Sequence, residues 1–311
     1  MLRVFEAFAG YGSQSIALRN LGIEHEVVAI SEIDKYAIKA YEAIHGPTNN
    51  LGDICKIDPS DIPDHDLFTY SFPCQDLSVA GKQAGLGKGT RSGLLYECEK
   101  IIEAKKPKYL LLENVKNLVG KKFKADFDKW LEYLEGLGYT NYWQVLNAKN
   151  YGVPQNRERV FVVSILGEHK PYKFTDKIPL DKCIRDILED EVDEKYYINK
   201  SFELADKGHQ VDGEPKILCE GNIYPSGGQN GNIYNAKGIS PAINAGTGVK
   251  GNGIGSNNAP KVLISQATKK GYIEMDLPGV CDLSYPNSKT RRGRVQESGK
   301  VSPTLTAASQ D

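Results

Sequence analysis

The chain lacks any CxxC pair and any close group of cysteine and histidine. Its six cysteines, Cys55, Cys74, Cys98, Cys183, Cys219 and Cys281, are scattered through 311 residues. That spacing argues against a zinc site and against a disulfide scaffold, and leaves buried or reduced thiols. Also missing are an apolar run of about 18 residues and a charged-then-apolar leader, so neither a membrane span nor a signal peptide is indicated. The expected compartment is the cytoplasm. Charge of one sign is scarce too: the formal net charge is −1. Any contact with a polyanion therefore has to come from local basic patches. What remains is an ordinary globular composition, 40% hydrophobic and 25% charged, long enough for one large α/β domain and a smaller one.

From residue 2 to about 166, short apolar runs alternate with segments of helical period. LRVFEAF, EVVAIS, DLFTYS, KYLLLEN and RVFVVSIL predict buried strands. SQSIALRNLG, DKYAIKAYEAIH, GLLYECEKIIEAKK and FKADFDKWLEYLEGLG predict amphipathic helices, two of them stopping at Gly22 and Gly138. Such alternation implies a doubly wound, mostly parallel sheet covered on both faces. Beyond about 170 helical periodicity fades and Gly, Asn and Ser become dense, while interspersed Ile, Tyr, Val and Leu favour a loop-rich second domain of short strands over a linker. Within it GNIYNAKGISPAINA (231–245) resembles GRVQESGKVSPTLTA (293–307), a small duplicated element.

Several short motifs fall at predicted strand ends. FEAFAGYGSQSIAL is a strand, a glycine turn and a helix start, in which Gly10 and Gly12 permit a tight turn and close approach of a ligand. Ser15 stands where a third glycine would complete G-x-G-x-x-G, which disfavours a dinucleotide pyrophosphate. Glu32, in SEIDKYA, sits where acidic residues of nucleotide-binding α/β folds accept ribose hydroxyls, and Asp53, in GDI, falls on a loop within reach of an adenine amino group. Each acid alone reads more readily as a helix cap or surface charge; together, in order at strand ends, they favour an adenosine site with one acidic ribose contact.

Cys74 follows DLFTYSFP, at the carboxyl edge where doubly wound sheets keep their ligands, with Pro73 fixing the preceding backbone. Gly81, Gly85, Gly87, Gly89 and Gly93 make the next segment lid-like. A thiol in this setting reads as a nucleophile more readily than as a small buried hydrophobe. Glu113 ends the apolar run YLLLEN, where desolvation favours a proton-donating carboxyl, although helix capping is the plain alternative. QNRERVF adds Arg157 and Arg159, one available to point into the site and the other to pair structurally.

Taken together, FAGYGS, SEIDKYA, GDI, SFPCQDLS, ENV and QNRERVF closely resemble the motifs of bacterial DNA cytosine-5 methyltransferases, continuously over residues 3 to about 166. GKQAGLGKGTRSGLLYE is similar to that family's mobile catalytic loop. The resemblance implies a Rossmann-like S-adenosylmethionine-dependent domain at 1–168 and a target-recognition domain at 169–311. It implies that Cys74, Glu113 and Arg159 are catalytic, with no metal. Phe8, Ala9, Gly10, Gly12, Glu32, Ile33, Asp53, Ile54 and Pro73 are the implied cofactor contacts. Gln75, Ser78, Lys82, Arg91 and Arg157 are the implied contacts to double-stranded DNA, with Lys88, Lys116, Lys121, Lys122, Lys124 and KTRRGR (289–294) further phosphate candidates. The family's usual closing segment, which returns to the catalytic domain, is not found after VSPTLTA. The expectations from that are a truncated form, or a catalytic half completed by a second polypeptide. A non-catalytic DNA-binding remnant and a tRNA cytosine-5 methyltransferase are the alternatives, and a cognate restriction endonuclease is an implied partner.

Overall fold

A computed structural model describes residues 1–73, 94–189, 203–204, 215–223, 231–242, 261–263, 281–282 and 294–295. Contacts divide the chain into two compact units. The first is Met1–Leu146 with Glu158–Asp176, and the second is Asn147–Arg157 with Lys177–Asp311.

The first unit is built on β1 (Leu2–Ala7), β2 (His25–Ser31), β3 (Leu67–Tyr70), β4 (Tyr109–Val115), β5 (Tyr139–Asn147) and, beyond the two-residue β6 (Gln155–Asn156), β7 (Glu158–Leu166). These strands, β6 apart, form one sheet in the order β2-β1-β3-β4-β7-β5. β1 pairs parallel with β2 and β3, and β3 parallel with β4. β7 runs antiparallel to β4. The reversal has a local cause: β5 and β7 are joined by residues 148–157 without a crossover helix, and a parallel return needs one. Consistently, the amide of Gly167, past the end of β7, donates to the carbonyl of Gly138, just before β5 begins.

The helices α1 (Ser13–Asn20), α2 (Lys35–His45), α3 (Leu95–Lys105) and α4 (Lys124–Gly136) fall where the periodicity predicts them. Asp34 caps α2 by accepting from the amides of Tyr36 and Ala37, and those bonds hold its carboxyl below the usual range. Successive residues of β2 show that both faces are covered. Ala29 joins the large core of Phe5, Phe68, Tyr70, Leu110, Leu112 and the apolar sides of α3 and α4, whereas Ile30 joins a smaller cluster with Ala9 and Tyr41 of α2. Along the large core the rings of Phe5, Phe68 and Tyr70 stack at 5.3 and 5.2 Å, and Trp130 Nε1 donates to the Tyr70 hydroxyl.

The strand β5 has no counterpart among the predicted runs. It is the far edge of the sheet and only partly buried, so YTNYWQVLN carries polar residues that a two-faced buried strand would not tolerate.

The second unit is made of short pieces. β8 (Glu203–Leu204), β9 (Cys219–Asn222), β10 (Asn232–Asn235) and β12 (Lys261–Leu263) form a sheet in the order β12-β10-β9-β8. β11 (Ser240–Pro241) pairs with β6, and β13 (Cys281–Asp282) with β14 (Arg294–Val295). β10 and β11 come from the first copy of the duplicated element. Of the second copy only Arg294–Val295 falls within the described residues. No helix among the described residues is long and apolar enough to cross a membrane.

Candidate active site

The register places the ends of the strands side by side. Ala7 is opposite both Ser31 and Tyr70, Tyr70 is opposite Leu112, and Val115 is opposite Arg159. One edge of the sheet therefore collects the glycine turn after β1, Glu32 after β2, Pro73 after β3, Glu113 in β4 and Arg159 at the start of β7.

On the β1 side the chain turns through Phe8 at φ +56° and Gly10 at φ +59°. A non-glycine residue in that region is held there against a conformational cost. The tie is visible: the Phe8 amide donates to the Ser31 carbonyl at 2.8 Å. The two glycines have different reasons to be glycine. A side chain at Gly10 would meet open space, whereas a Cβ at Gly12, φ +77°, would lie 2.4 Å from His45 Nε2 and 2.7 Å from Tyr41 Cε2. Gly12 thus lets α1 close against α2, a packing role added to the predicted turn. Behind the turn the buried Glu6 carboxylate accepts from Ser15 Oγ at 2.9 Å and from the Tyr41 hydroxyl at 2.7 Å. Burial, and then the Glu6 charge, push the Tyr41 hydroxyl well above its ordinary pKa. Ser15 therefore serves the core; its place in the motif signals a hydrogen bond to Glu6.

Glu32 is held by backbone. Its Oε2 accepts from the Gly10 amide at 2.8 Å, and its Oε1 from the amides of Ile33 at 2.8 Å and Asp34 at 2.9 Å. Two carboxylate oxygens have about four acceptor sites, so capacity for a ligand donor remains. Ile33 beside it is 74% exposed. Asp53 caps the 3-10 turn Ile54–Lys56 through the Cys55 amide and lies 3.6 Å from Lys56; Ile54 is buried.

Asn50, unmarked in the sequence, joins these segments: its Oδ1 accepts from the amides of Glu32 (3.1 Å) and Gly52 (3.0 Å), and its Nδ2 donates to the Glu32 carbonyl (3.1 Å). Open space at Gly10, spare capacity on Glu32 and the bare apolar face of Ile33 fit an adenosyl ligand.

On the β3–β4 side, Asn114 is 2% exposed and its Nδ2 donates to the Phe72 carbonyl at 3.1 Å. It anchors the backbone one residue before Pro73. Gln14 Nε2 reaches Ser71 Oγ at 3.2 Å from the start of α1. Glu113 Oε1 lies 3.0 Å from Arg159 Nε, the two side chains 24% and 20% exposed. The carboxyl predicted to be desolvated at the end of an apolar run is thus matched with a guanidinium, because antiparallel β7 sets Arg159 diagonally across from it.

Two lysines proposed for phosphate are otherwise engaged: Lys116 pairs with Glu158 at 2.9 Å, and Lys124 with Asp128. Arg157 belongs to the second unit, its amide donating to Asn147 Oδ1 at 3.2 Å. Cys74, Gln75, Ser78, Lys82, Lys88, Arg91 and the glycines 81–93 lie outside the described residues. Among the described cysteines, burial raises the thiol pKa of Cys55, Cys98 and Cys183, which keeps those sulfurs protonated.

A family model, C-5 cytosine-specific DNA methylase, matches residues 2–297. The chain belongs to that family. Its reaction is methylation of carbon 5 of cytosine in DNA, and S-adenosylmethionine is the family's methyl donor. Among similar proteins, the type II methyltransferase M2.ScrFI of Lactococcus lactis subsp. cremoris is 46% identical over 72% of this chain and 75% of its own length. The orphan methyltransferase M.SPRI of Bacillus phage SPR is 36% identical over 98% of this chain and 76% of its own. The fold is also similar to the crystal structure of the S. pombe Dnmt2 methyltransferase, with TM-score 0.51 and 24% identity, over 64% of this chain and 63% of that one. The methylase chain thus spans about three quarters of those two relatives and less than two thirds of the solved structure.

Proposed function

We propose that this methylase acts on a cytosine flipped out of a specific duplex sequence, through a transient bond between Cys74 and carbon 6 of the base. The observation that carries the reading is the Glu113–Arg159 pair, set beside the end of β3 that leads through Pro73 to Cys74. Carbon 5 of an aromatic cytosine is a weak nucleophile. Attack by the Cys74 thiolate at carbon 6, with a proton passing from Glu113 to ring nitrogen 3, breaks the aromaticity and makes carbon 5 electron-rich. Arg159 turns from Glu113 to the carbonyl oxygen at position 2, where negative charge gathers. A donor placed on developing charge is worth about 10²–10³ in rate. S-adenosylmethionine, when bound, supplies a methyl group on a sulfonium. Loss of the carbon 5 proton to a solvent water, return of the nitrogen 3 proton to Glu113 and expulsion of the Cys74 thiolate then restore the base.

Flipping costs a few kcal/mol of stacking and pairing. We assign phosphate contacts to Lys82, Arg91 and Arg157, with Gln75 and Ser78 beside the flipped base, and the reading of base edges to residues 169–311. Glu32, Ile33, Asp53, Ile54, Pro73 and the turn Phe8, Ala9, Gly10, Gly12 hold the donor. A cognate endonuclease belongs to the same proposal; similar proteins are named both type II and orphan methyltransferases.

The test has two steps. Expression in a methylation-free host, with bisulfite mapping of 5-methylcytosine, defines the target. A duplex carrying 5-fluorocytosine at that position should then trap a denaturation-resistant adduct with the donor present, and Cys74→Ala should not. Absence of the adduct from a chain that methylates the mapped site would reject the covalent route.

A further inference from the structure

We infer that Asn50 is a positioning residue of the donor site: it fixes Glu32 so that the carboxylate meets the ribose hydroxyls, and so ties ribose recognition to the GDI loop. The inference rests on the ribose reading of Glu32. Its basis is one side chain gripping both sides of one residue's backbone, with Oδ1 taking the Glu32 amide and Nδ2 giving to the Glu32 carbonyl. Only one amide orientation allows this, because the oxygen also accepts from Gly52 N.

The backbone alone does not supply the same hold. β2 ends at Ser31, and its last ties to the following segment are the Ile30 amide to the Asn49 carbonyl, the Leu51 amide to the Ile30 carbonyl, and Ser31 Oγ to the Gly52 carbonyl at 2.7 Å. Past Ser31 the strand has lost its ladder, and the Asn50 amide continues the pairing by one residue. Glu32 in turn reaches Gly10. A single path, Gly52 to Asn50 to Glu32 to Gly10, therefore links the three segments assigned to the donor. Without Asn50 the Ser31 carbonyl keeps its tie to the Phe8 amide, but the Glu32 amide and carbonyl lose theirs, and a tilt there moves the carboxylate off both Gly10 and the ligand.

The test uses the full chain and two ligands, S-adenosylhomocysteine and its 2′-deoxyribose counterpart, with affinities measured by calorimetry. The unaltered protein should prefer the ribose ligand by about tenfold or more, as for one lost hydrogen bond to a charged group. Asn50→Ala should bring that preference close to one, because the ribose ligand loses affinity and the deoxy ligand hardly changes. Asn50→Asp, nearly the same shape, keeps the acceptor for the Glu32 and Gly52 amides but sets a charged acceptor against the Glu32 carbonyl in place of the donor, and should lower the preference several-fold; it decides the matter if the alanine variant does not fold. Equal weakening of both ligands, or an unchanged preference in a folded variant, would overturn the inference in favour of a merely structural asparagine. No preference in the unaltered protein would instead remove the ribose reading itself, and the inference with it.

Discussion

Glu32 and Glu113 stand at the same edge of one sheet, one just after β2 and the other in β4, and they are held in different ways. Three backbone amides surround Glu32, whereas Glu113 lies against the side chain of Arg159. Backbone amides stay where the strands put them, so the half of the site proposed for the methyl donor is formed before any ligand arrives. A side-chain pair can exchange partners, which suits a base that enters late and develops charge during reaction. On the proposed assignment, binding of the methyl donor and activation of the base are separable, and substitutions should sort accordingly.

The strongest break is at the sulfur. Cys74→Ala should abolish methyl transfer, read with radiolabelled donor and duplex DNA, while calorimetry still finds the donor bound. Next in size, Arg159→Ala should lower kcat by about 10²–10³, the cost of one hydrogen-bond donor to the developing charge, with affinity for the methyl donor unchanged. Glu32→Ala should show the opposite pattern: donor affinity falls by about 1–3 kcal/mol, while kcat at saturating donor is kept. If the two variants produced the same pattern, the division of the edge into two halves would be lost.

Smaller effects test the scaffold. Gly12→Ala should destabilise the fold by about 1–3 kcal/mol in urea titration, because the new methyl meets His45 and Tyr41 at a positive φ. The smallest effect is expected at His65, packed between Phe5 and Phe68, with no hydrogen-bond partner for Nε2 among the described residues. Burial holds its pKa below the ordinary value, against the pull of the Pro63 carbonyl. As pH falls below about 6.5 the unfolded chain takes up a proton that the folded chain refuses, so stability drops toward acid. Thermal melts at about pH 7.5 and about pH 5.5 should differ less for His65→Leu than for the unaltered chain.

Much of the first unit is legible in order of residues. Strands covered on both faces need apolar residues on both, so runs such as KYLLLEN and RVFVVSIL announce themselves. Gly22 and Gly138, the predicted stops, lie two residues past the ends of α1 and α4, with φ +68° and +95°. The edge strand β5 is silent because half-exposed backbone accepts polar side chains. The second unit is hardly legible, since strands of two to four residues have too few positions to show a period.

The amino-acid order by itself determined which residue types arrive at the strand ends: a glycine turn, an acid, a proline before a cysteine, a second acid and an arginine. Tertiary structure decided who meets whom. Asn50 finds Glu32, Asn114 finds Phe72, and Arg159 finds Glu113 across 18, 42 and 46 positions of chain. Those meetings follow from strand order and from the antiparallel turn of β7, which are set by how the whole core packs and leave no local period in the sequence.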